Sequence, residues 1–341
     1  MVVSTRSANR RSVKSMNRFR IMSLDGGGIK GTFTVALLAE LEKMTGKNLV
    51  QYFDLITGTS TGGIIALALG LGIPLGDVLQ FYVMRGPRIF PCTGIHRRIL
   101  TAIRHALCPK YSHDVLRNCF AEVFGVRKLG ESKCRLVIPS YDIVSGGVHL
   151  FKTAHHEKFR QDYLVDAVDV AMATAAAPTY FAAYSRNNGL RLVDGGVWAN
   201  CPAAVGIIEA IGYLRRSPTE IDLLSVGTTA SPYDVPRGQG NGGWLLWNKE
   251  IVELQMRAQV DGALAQCEVL TDHRLLRVDS IVKPGRFTLD DPSHIDELQA
   301  LGEQTARHRA EEINSRFLCE PVEPFKPHYE VISCQTAVHI Y

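Results

Sequence analysis

The chain has 341 residues, 46% of them hydrophobic and 21% charged, an ordinary globular composition with length for a full core. Its formal net charge of +4 is too slight to argue for a nucleic-acid polymer as partner. No run reaches the ~18 apolar residues of a membrane-spanning helix; the nearest, "IIALALGLGIPL" at 64–75, is short and rich in glycine.

The first 20 residues hold six Arg or Lys and no acid, which predicts a basic, solvated arm over 1–18. Weak attraction to an anionic membrane and an organelle transit peptide are the other readings of that segment. It has no apolar stretch of the kind a secretory signal carries. Eight cysteines are scattered singly with no C-x-x-C pair, so reduced thiols in a cytosolic setting are expected and a zinc site is not.

From residue 19 onward, apolar runs of strand length alternate with longer helix-period segments, the pattern of a layered α/β domain. "FRIMSL" (19–24) reads as a buried strand, and "TFTVALLAELEKM" (32–44) as a helix stopped by Gly46. "FDLITGTS" (53–60) and "TGGIIALALG" (61–70) repeat the strand-then-helix order. The basic, apolar-interleaved segment 85–110 reads as a surface helix and loop, or more sharply as a lid or membrane-docking element. Further strands are expected at 134–142, 147–153, 190–194 and 221–228, with a helix over 164–177 and another after Pro202. The turn-rich stretch 228–243 is the best candidate boundary or mobile loop, and 244–270 and 293–317 read as helices.

Two motifs sit at strand-to-helix junctions. "SLDGGGIKGTFT" (23–34) satisfies G-x-G-x-x-G through Gly26, Gly28 and Gly31, in the context of a dinucleotide-binding loop. The acid that such a site wants near the end of the second strand is matched only by Asp54, at that strand's start. Backbone N–H groups at a helix N-terminus also suit a small developing negative charge, so this loop alone leaves nucleotide and oxyanion open. "GTSTG" (58–62) is G-x-S-x-G between an apolar strand and an apolar helix, where a nucleophile elbow belongs. Gly58 and Gly62 would relieve crowding at the turn and let Ser60 project its hydroxyl. None of the eleven histidines occupies a clean strand-end loop where a base for Ser60 would be expected. A carboxylate does: "LRLVDGGVWANCPA" (190–203) ends a strand at Asp194, followed by two glycines.

Taken in this order, Asp25–Gly31, Gly58–Gly62 and Asp194–Gly196 resemble the glycine-rich loop, elbow and D-G-G motif of the patatin-like phospholipases, and "ATAAAPTYF" (173–181) agrees with them. The resemblance covers about 19–215 and implies a three-layer α/β/α fold with a mainly parallel central sheet. It implies a catalytic domain over 19–215, with 216–341 packing on it as a candidate regulatory region. It further implies a Ser60–Asp194 dyad without histidine, an oxyanion hole from Gly26, Gly27 and Gly28, and no metal or organic cofactor. An aspartate of ordinary pKa, about 3.9, is a poor base for an alcohol, so oxyanion stabilisation is expected to carry most of the rate. Lys30 stands where plant patatins commonly have Arg, and is expected to hold the loop or the substrate's anionic head. The implied substrate is an acyl ester of a membrane phospholipid, met by a cytoplasmic protein at the inner membrane face. The compact bacterial patatin-like effectors of cyclic-nucleotide anti-phage signalling are similar in layout, which implies a cyclic dinucleotide activator; a homo-oligomer is left open. The alternatives are an unregulated lipid acyl hydrolase, a lysophospholipase or thioesterase of the same type, a silent lipid-binding homologue, and a nucleotide-binding oxidoreductase.

Overall fold

The structure is a computed structural model that describes residues 18–91, 109–186, 188–232 and 250–331. Its centre is one eight-stranded mixed sheet in the order β5-β6-β3-β2-β1-β7-β8, with β4 on the other side of β3. The strands are β1 (Phe19–Leu24), β2 (Leu55–Gly58), β3 (Arg135–Asp142), β4 (Gly147–Lys152), β5 (Tyr184–Ser185), β6 (Arg191–Asp194), β7 (Ile221–Val226) and β8 (Leu275–Val278). The pairs β1–β2, β1–β7, β2–β3 and β7–β8 are parallel, whereas β3–β4, β3–β6 and β5–β6 are antiparallel. β1 is buried along nearly its whole length, as a central parallel strand covered on both faces must be.

Alternation along the strands sorts side chains into two cores. Met22, Leu24, Ile56, Ile138, Leu224 and Val226 face helices α1 (Gly31–Thr45), α2 (Thr61–Gly70), α3 (Leu75–Ile89), α4 (His113–Phe124) and α5 (Ala167–Thr174). Ile21, Leu55, Val137, Ile221 and Leu223 face the opposite layer, which is built from α7 (Ala203–Gly212) and α8 (Glu250–Leu270). The short α6 (Gly196–Ala199) lies between β6 and α7, and α9 (Ile295–Phe317) packs along α1. The result is the three-layer α/β/α arrangement. β7 and β8, both beyond residue 215, are strands of the same sheet as β1.

Most element boundaries match the sequence reading, including the stop of α1 at Gly46, which takes the left-handed φ of 66°. The helix expected over 164–177 is shorter, Ala167–Thr174, because 162–164 form a separate 3₁₀ turn before it and Ala175 leaves the helix. Residues 92–108, most of the expected lid, and 233–249, most of the turn-rich stretch, lie outside the described residues, as does the basic arm to residue 17. Among the described residues no helix is long and apolar enough to cross a membrane.

Candidate active site

β2 ends at Gly58 and α2 begins at Thr61, leaving Thr59 and Ser60 to make the whole turn. Ser60 takes φ 55° and ψ −123°, a conformation that costs a non-glycine residue on the order of 1–3 kcal/mol. Neighbours hold it there. The Ser60 N–H donates to Thr174 Oγ1 at 3.0 Å, and the Thr174 hydroxyl donates to the Pro139 carbonyl at 2.7 Å. The Thr59 hydroxyl donates to the Ala199 carbonyl at 2.6 Å. A Cβ on Gly58 would lie 2.2 Å from the Gly62 carbonyl oxygen, and one on Gly62 would lie 2.2 Å from that of Leu24. Both elbow glycines are thus demanded by close backbone approach.

β6 runs antiparallel to β3 and ends with Asp194 opposite Ser140, which carries this carboxylate to Ser60. Asp194 is buried, its Oδ1 accepts the Gly196 N–H at 2.7 Å, and the Ser60 hydroxyl is near enough to pull its pKa down. Burial is the largest influence on this group and outweighs both, raising its pKa to about 6. The expectation of an ordinary, weakly basic aspartate therefore does not hold, because no cation among the described residues offsets the desolvation of Asp194.

The glycine loop leaves β1 toward the same space. Of its three glycines, Gly26 donates its N–H to the Asn200 carbonyl at 2.9 Å, so that group is already committed. Gly27 and Gly28 line the cavity, and among the described hydrogen bonds neither N–H has a protein acceptor. The expected trio of donors is thus reduced to two, with Gly26 serving the approach of Asn200 and Ser60: a Cβ there would sit 2.5 Å from Asn200 Oδ1 and 3.4 Å from Ser60 Cβ. Gly28 has φ 57°, and a Cβ on it would strike the Leu289 carbonyl oxygen at 2.1 Å. That same carbonyl accepts the Ile29 N–H at 2.9 Å and clamps the loop from above.

The base of the loop is fixed through Asp25. Its N–H donates to the Val226 carbonyl at 3.1 Å, and its carboxylate meets Arg277 of β8 at 2.7 Å. Arg277 also pairs with Asp279 at 2.7 Å and donates to Ser225 Oγ at 2.8 Å. Burial pushes the Asp25 carboxyl above its usual range while Arg277 pulls it back. Lys30 is turned away from the cavity and directs Nζ at the Thr229 carbonyl, 3.5 Å off.

Ser60, Asp194, Gly27 and Gly28 share the wall of a cavity of about 300 Å³, lined otherwise mostly by apolar side chains such as Ile64, Phe81, Phe120, Phe181 and Met256. No histidine among the described residues lines it. His155 is buried elsewhere, its Nδ1 2.9 Å from Thr153 Oγ1 and its Nε2 3.0 Å from Glu209 Oε1. Asp54, the acid that a dinucleotide site would require, accepts the Arg20 N–H at 2.8 Å, at the start of β1, far from the glycine loop. The loop therefore faces a serine, Asp194 and a lipophilic space, and Asp54 is not placed for a ribose.

Residues 22–207 match the family model described as patatin-like phospholipase. The chain belongs to the patatin-like phospholipase family. A cGAMP-activated phospholipase of Pseudomonas aeruginosa is 30% identical over 91% of this chain and 92% of its own length. A second, from Vibrio cholerae, is 36% identical over 68% of this chain and 71% of its own, and a third, from Escherichia coli, is 30% identical over 91% and 95%. Among solved structures, VipD from Legionella pneumophila aligns over 87% of this chain and 67% of its own with 10% identity and a TM-score of 0.46.

As a patatin-like phospholipase the protein is a lipid hydrolase, and its apolar cavity accords with an acyl substrate. Several residues that shape this phospholipase's site carry no local signal. Thr174, Asn200, Gln259, Arg277 and Leu289 reach it only through the fold; Gln259, for example, accepts the Asn200 N–H at 3.1 Å and donates to the Val197 carbonyl at 3.1 Å. Of these, Thr174 and Asn200 do lie in segments that resemble the family's, 173–181 and 194–203, and could have been singled out in advance.

Proposed function

We propose that Ser60 and Asp194 are the catalytic dyad of this phospholipase and that the Gly27 and Gly28 N–H groups are its oxyanion hole. The observation that carries the reading is a strained serine beside a buried carboxylate of raised pKa, inside a lipophilic cavity whose other wall offers two unspent backbone donors. Ser60 Oγ attacks the ester carbonyl carbon while its proton passes to Asp194. The carbonyl oxygen becomes an oxyanion facing the two N–H groups, each worth on the order of 10²–10³ in rate when well placed. Collapse of the tetrahedral intermediate breaks the acyl C–O bond, and the proton on Asp194 goes to the departing alcohol. Water then repeats the sequence on the acyl-serine, again losing its proton to Asp194, and releases the fatty acid. A base near pKa 6 is better matched to this work at neutral pH than one near 4.

The substrate proposed is a membrane glycerophospholipid, and the activator a cyclic dinucleotide. The support for the second is the pair of relatives named as cGAMP-activated phospholipases that match across 91% of this chain. The test is fatty-acid release from mixed phospholipid vesicles by wild type, Ser60→Ala and Asp194→Asn, without and with cGAMP and other cyclic dinucleotides. Release by wild type alone, and only with one nucleotide, is the expected result. Release by Ser60→Ala at the wild-type rate overturns the dyad, and a rate indifferent to every nucleotide overturns the switch.

A further inference from the structure

The β3–β4 hairpin carries large aliphatic side chains where nothing in the structure covers them. Ile143 is 45% exposed, Val144 63% and Val148 57%. The hairpin is nevertheless rigid. Asp142 accepts the N–H groups of Val144 at 3.2 Å, Ser145 at 3.1 Å and Arg191 at 3.1 Å, and Gly146 closes the turn at φ 68°. Fraying does not account for these exposed aliphatics; the turn is built to present them.

Register places this tip relative to the active site. Ser140 lies opposite Asp194, so Ile143, three residues on, stands about 10 Å beyond the dyad at ~3.3 Å per residue. Tyr141 is opposite Val148 on one side and Val193 on the other, and the Ile143 N–H donates to the Arg191 carbonyl at 2.9 Å, continuing the ladder. Opposed residues share a face, so Tyr141, Ile143, Val148 and Arg191 form one surface. Trp198, half-buried on α6 four residues after Asp194, sends its indole N–H to the Ser140 carbonyl at 3.0 Å, joining the surface to the wall of the site.

Within the two hairpins the charge is one-sided, with Asp162 of the adjoining 3₁₀ turn near His149 and Arg186 as the neighbouring acid. Between Ser140 and Lys152 the only acid is Asp142, whose carboxylate is consumed by backbone N–H groups. The adjoining β5–β6 hairpin contributes Arg186 and Arg191 and no acid between Tyr184 and Val193. Arg191 is exposed, and among the described residues no ion pair to an acid is formed by it. Aliphatic tips with an aromatic and arginines beside them suit the boundary between headgroups and acyl chains of an anionic bilayer.

We propose that the 141–148 hairpin tip, with Arg191 and Trp198, is the surface by which the protein seats on an anionic phospholipid bilayer and brings the cavity to its substrate. This rests on the phospholipase reading for its purpose, while the docking itself needs no chemistry. The experiment uses the full chain in the Ser60→Ala background, sedimented with vesicles of phosphatidylcholine alone and of phosphatidylcholine with phosphatidylglycerol. Replacing Ile143, Val144 and Val148 together by Ser is expected to lower vesicle binding at least ~10-fold. Arg191→Gln is expected to lower it about 5-fold on the anionic vesicles and to leave neutral ones unaffected.

With Ser60 restored, and cGAMP present, the triple variant should lose vesicle hydrolysis in proportion while cleaving soluble p-nitrophenyl butyrate within about 2-fold of wild type. Unchanged vesicle binding overturns the proposal, and so does an equal loss on the soluble ester, which would mark damage to the site. Loss of self-association in the triple variant, with vesicle binding intact, would assign the surface to a second copy of the chain and overturn it as well. Butyrate cleavage that survives Ser60→Ala would instead defeat the dyad and leave docking standing.

Discussion

Asp194→Asn should separate the stability of this protein from its activity. Asp194 titrates near 6 in the folded chain against 3.8 as an ordinary aspartate, a gap of about 2 units, or roughly 3 kcal/mol at 1.36 kcal/mol per unit. The unfolded chain sheds this proton first as pH rises, so the folded state binds more protons between the two values. Stability credited to the group is therefore whole below about 3.8 and gone above about 6, where an ionised carboxylate sits buried without a cation. Asparagine keeps the acceptor for Gly196 and a donor toward Ser60 but carries no charge, so it escapes the penalty. With an unfolding entropy of about 2.1 cal/mol/K per residue, roughly 0.7 kcal/mol/K for 341 residues, the gain at pH 8 corresponds to about 4 °C in Tm. Near pH 4 the difference should shrink below about 1 kcal/mol. Thermal unfolding of both proteins at pH 4 and pH 8 reads this directly. An equal Tm difference at the two pH values, or a variant less stable at pH 8, would refute the assignment of a strained buried charge to Asp194.

Wild-type kcat/KM on a soluble ester should fall tenfold per unit below about pH 6 and level off above it, because only ionised Asp194 can take the Ser60 proton; a limb centred near 4 would contradict the burial argument. Gly28→Ala meets a backbone carbonyl at 2.1 Å at φ +57°, so kcat should drop by about 10² or more while the chain still folds; near-normal turnover would remove Gly28 from the oxyanion hole. Arg277→Gln leaves Asp25 buried without its cation and should cost about 3 kcal/mol in urea unfolding, whereas a loss under about 1 kcal/mol would mean the pair is not anchoring the loop.

The local parts of this site were readable because their chemistry is written in backbone geometry. A serine on a strand-to-helix turn needs glycines where the chain folds back on itself, and Gly58 and Gly62 are where a Cβ would collide. Asp194 could be singled out for the same reason, at the end of a strand and before two glycines. The two quantities that sequence misjudged both depend on distant chain. Whether Gly26 keeps a free N–H is decided by Asn200, and how basic Asp194 becomes is decided by the absence of a cation around it. The G-x-G-x-x-G match was weakened already by the place of Asp54 at the start of its strand, where it accepts the Arg20 N–H. Gln259 and Leu289 had no signature at all, being an ordinary helix residue and an ordinary loop residue placed by topology.

The order of the strands has a consequence for how the protein comes into being. Ser60 and the glycine loop leave the ribosome early, yet β1 is flanked on one side by β7, and the loop is closed by Arg277 and the Leu289 carbonyl from the last quarter of the chain. Pairings of such separation form only once the intervening chain exists. The glycine loop is thus without its Arg277 and Leu289 partners through most of the chain's synthesis.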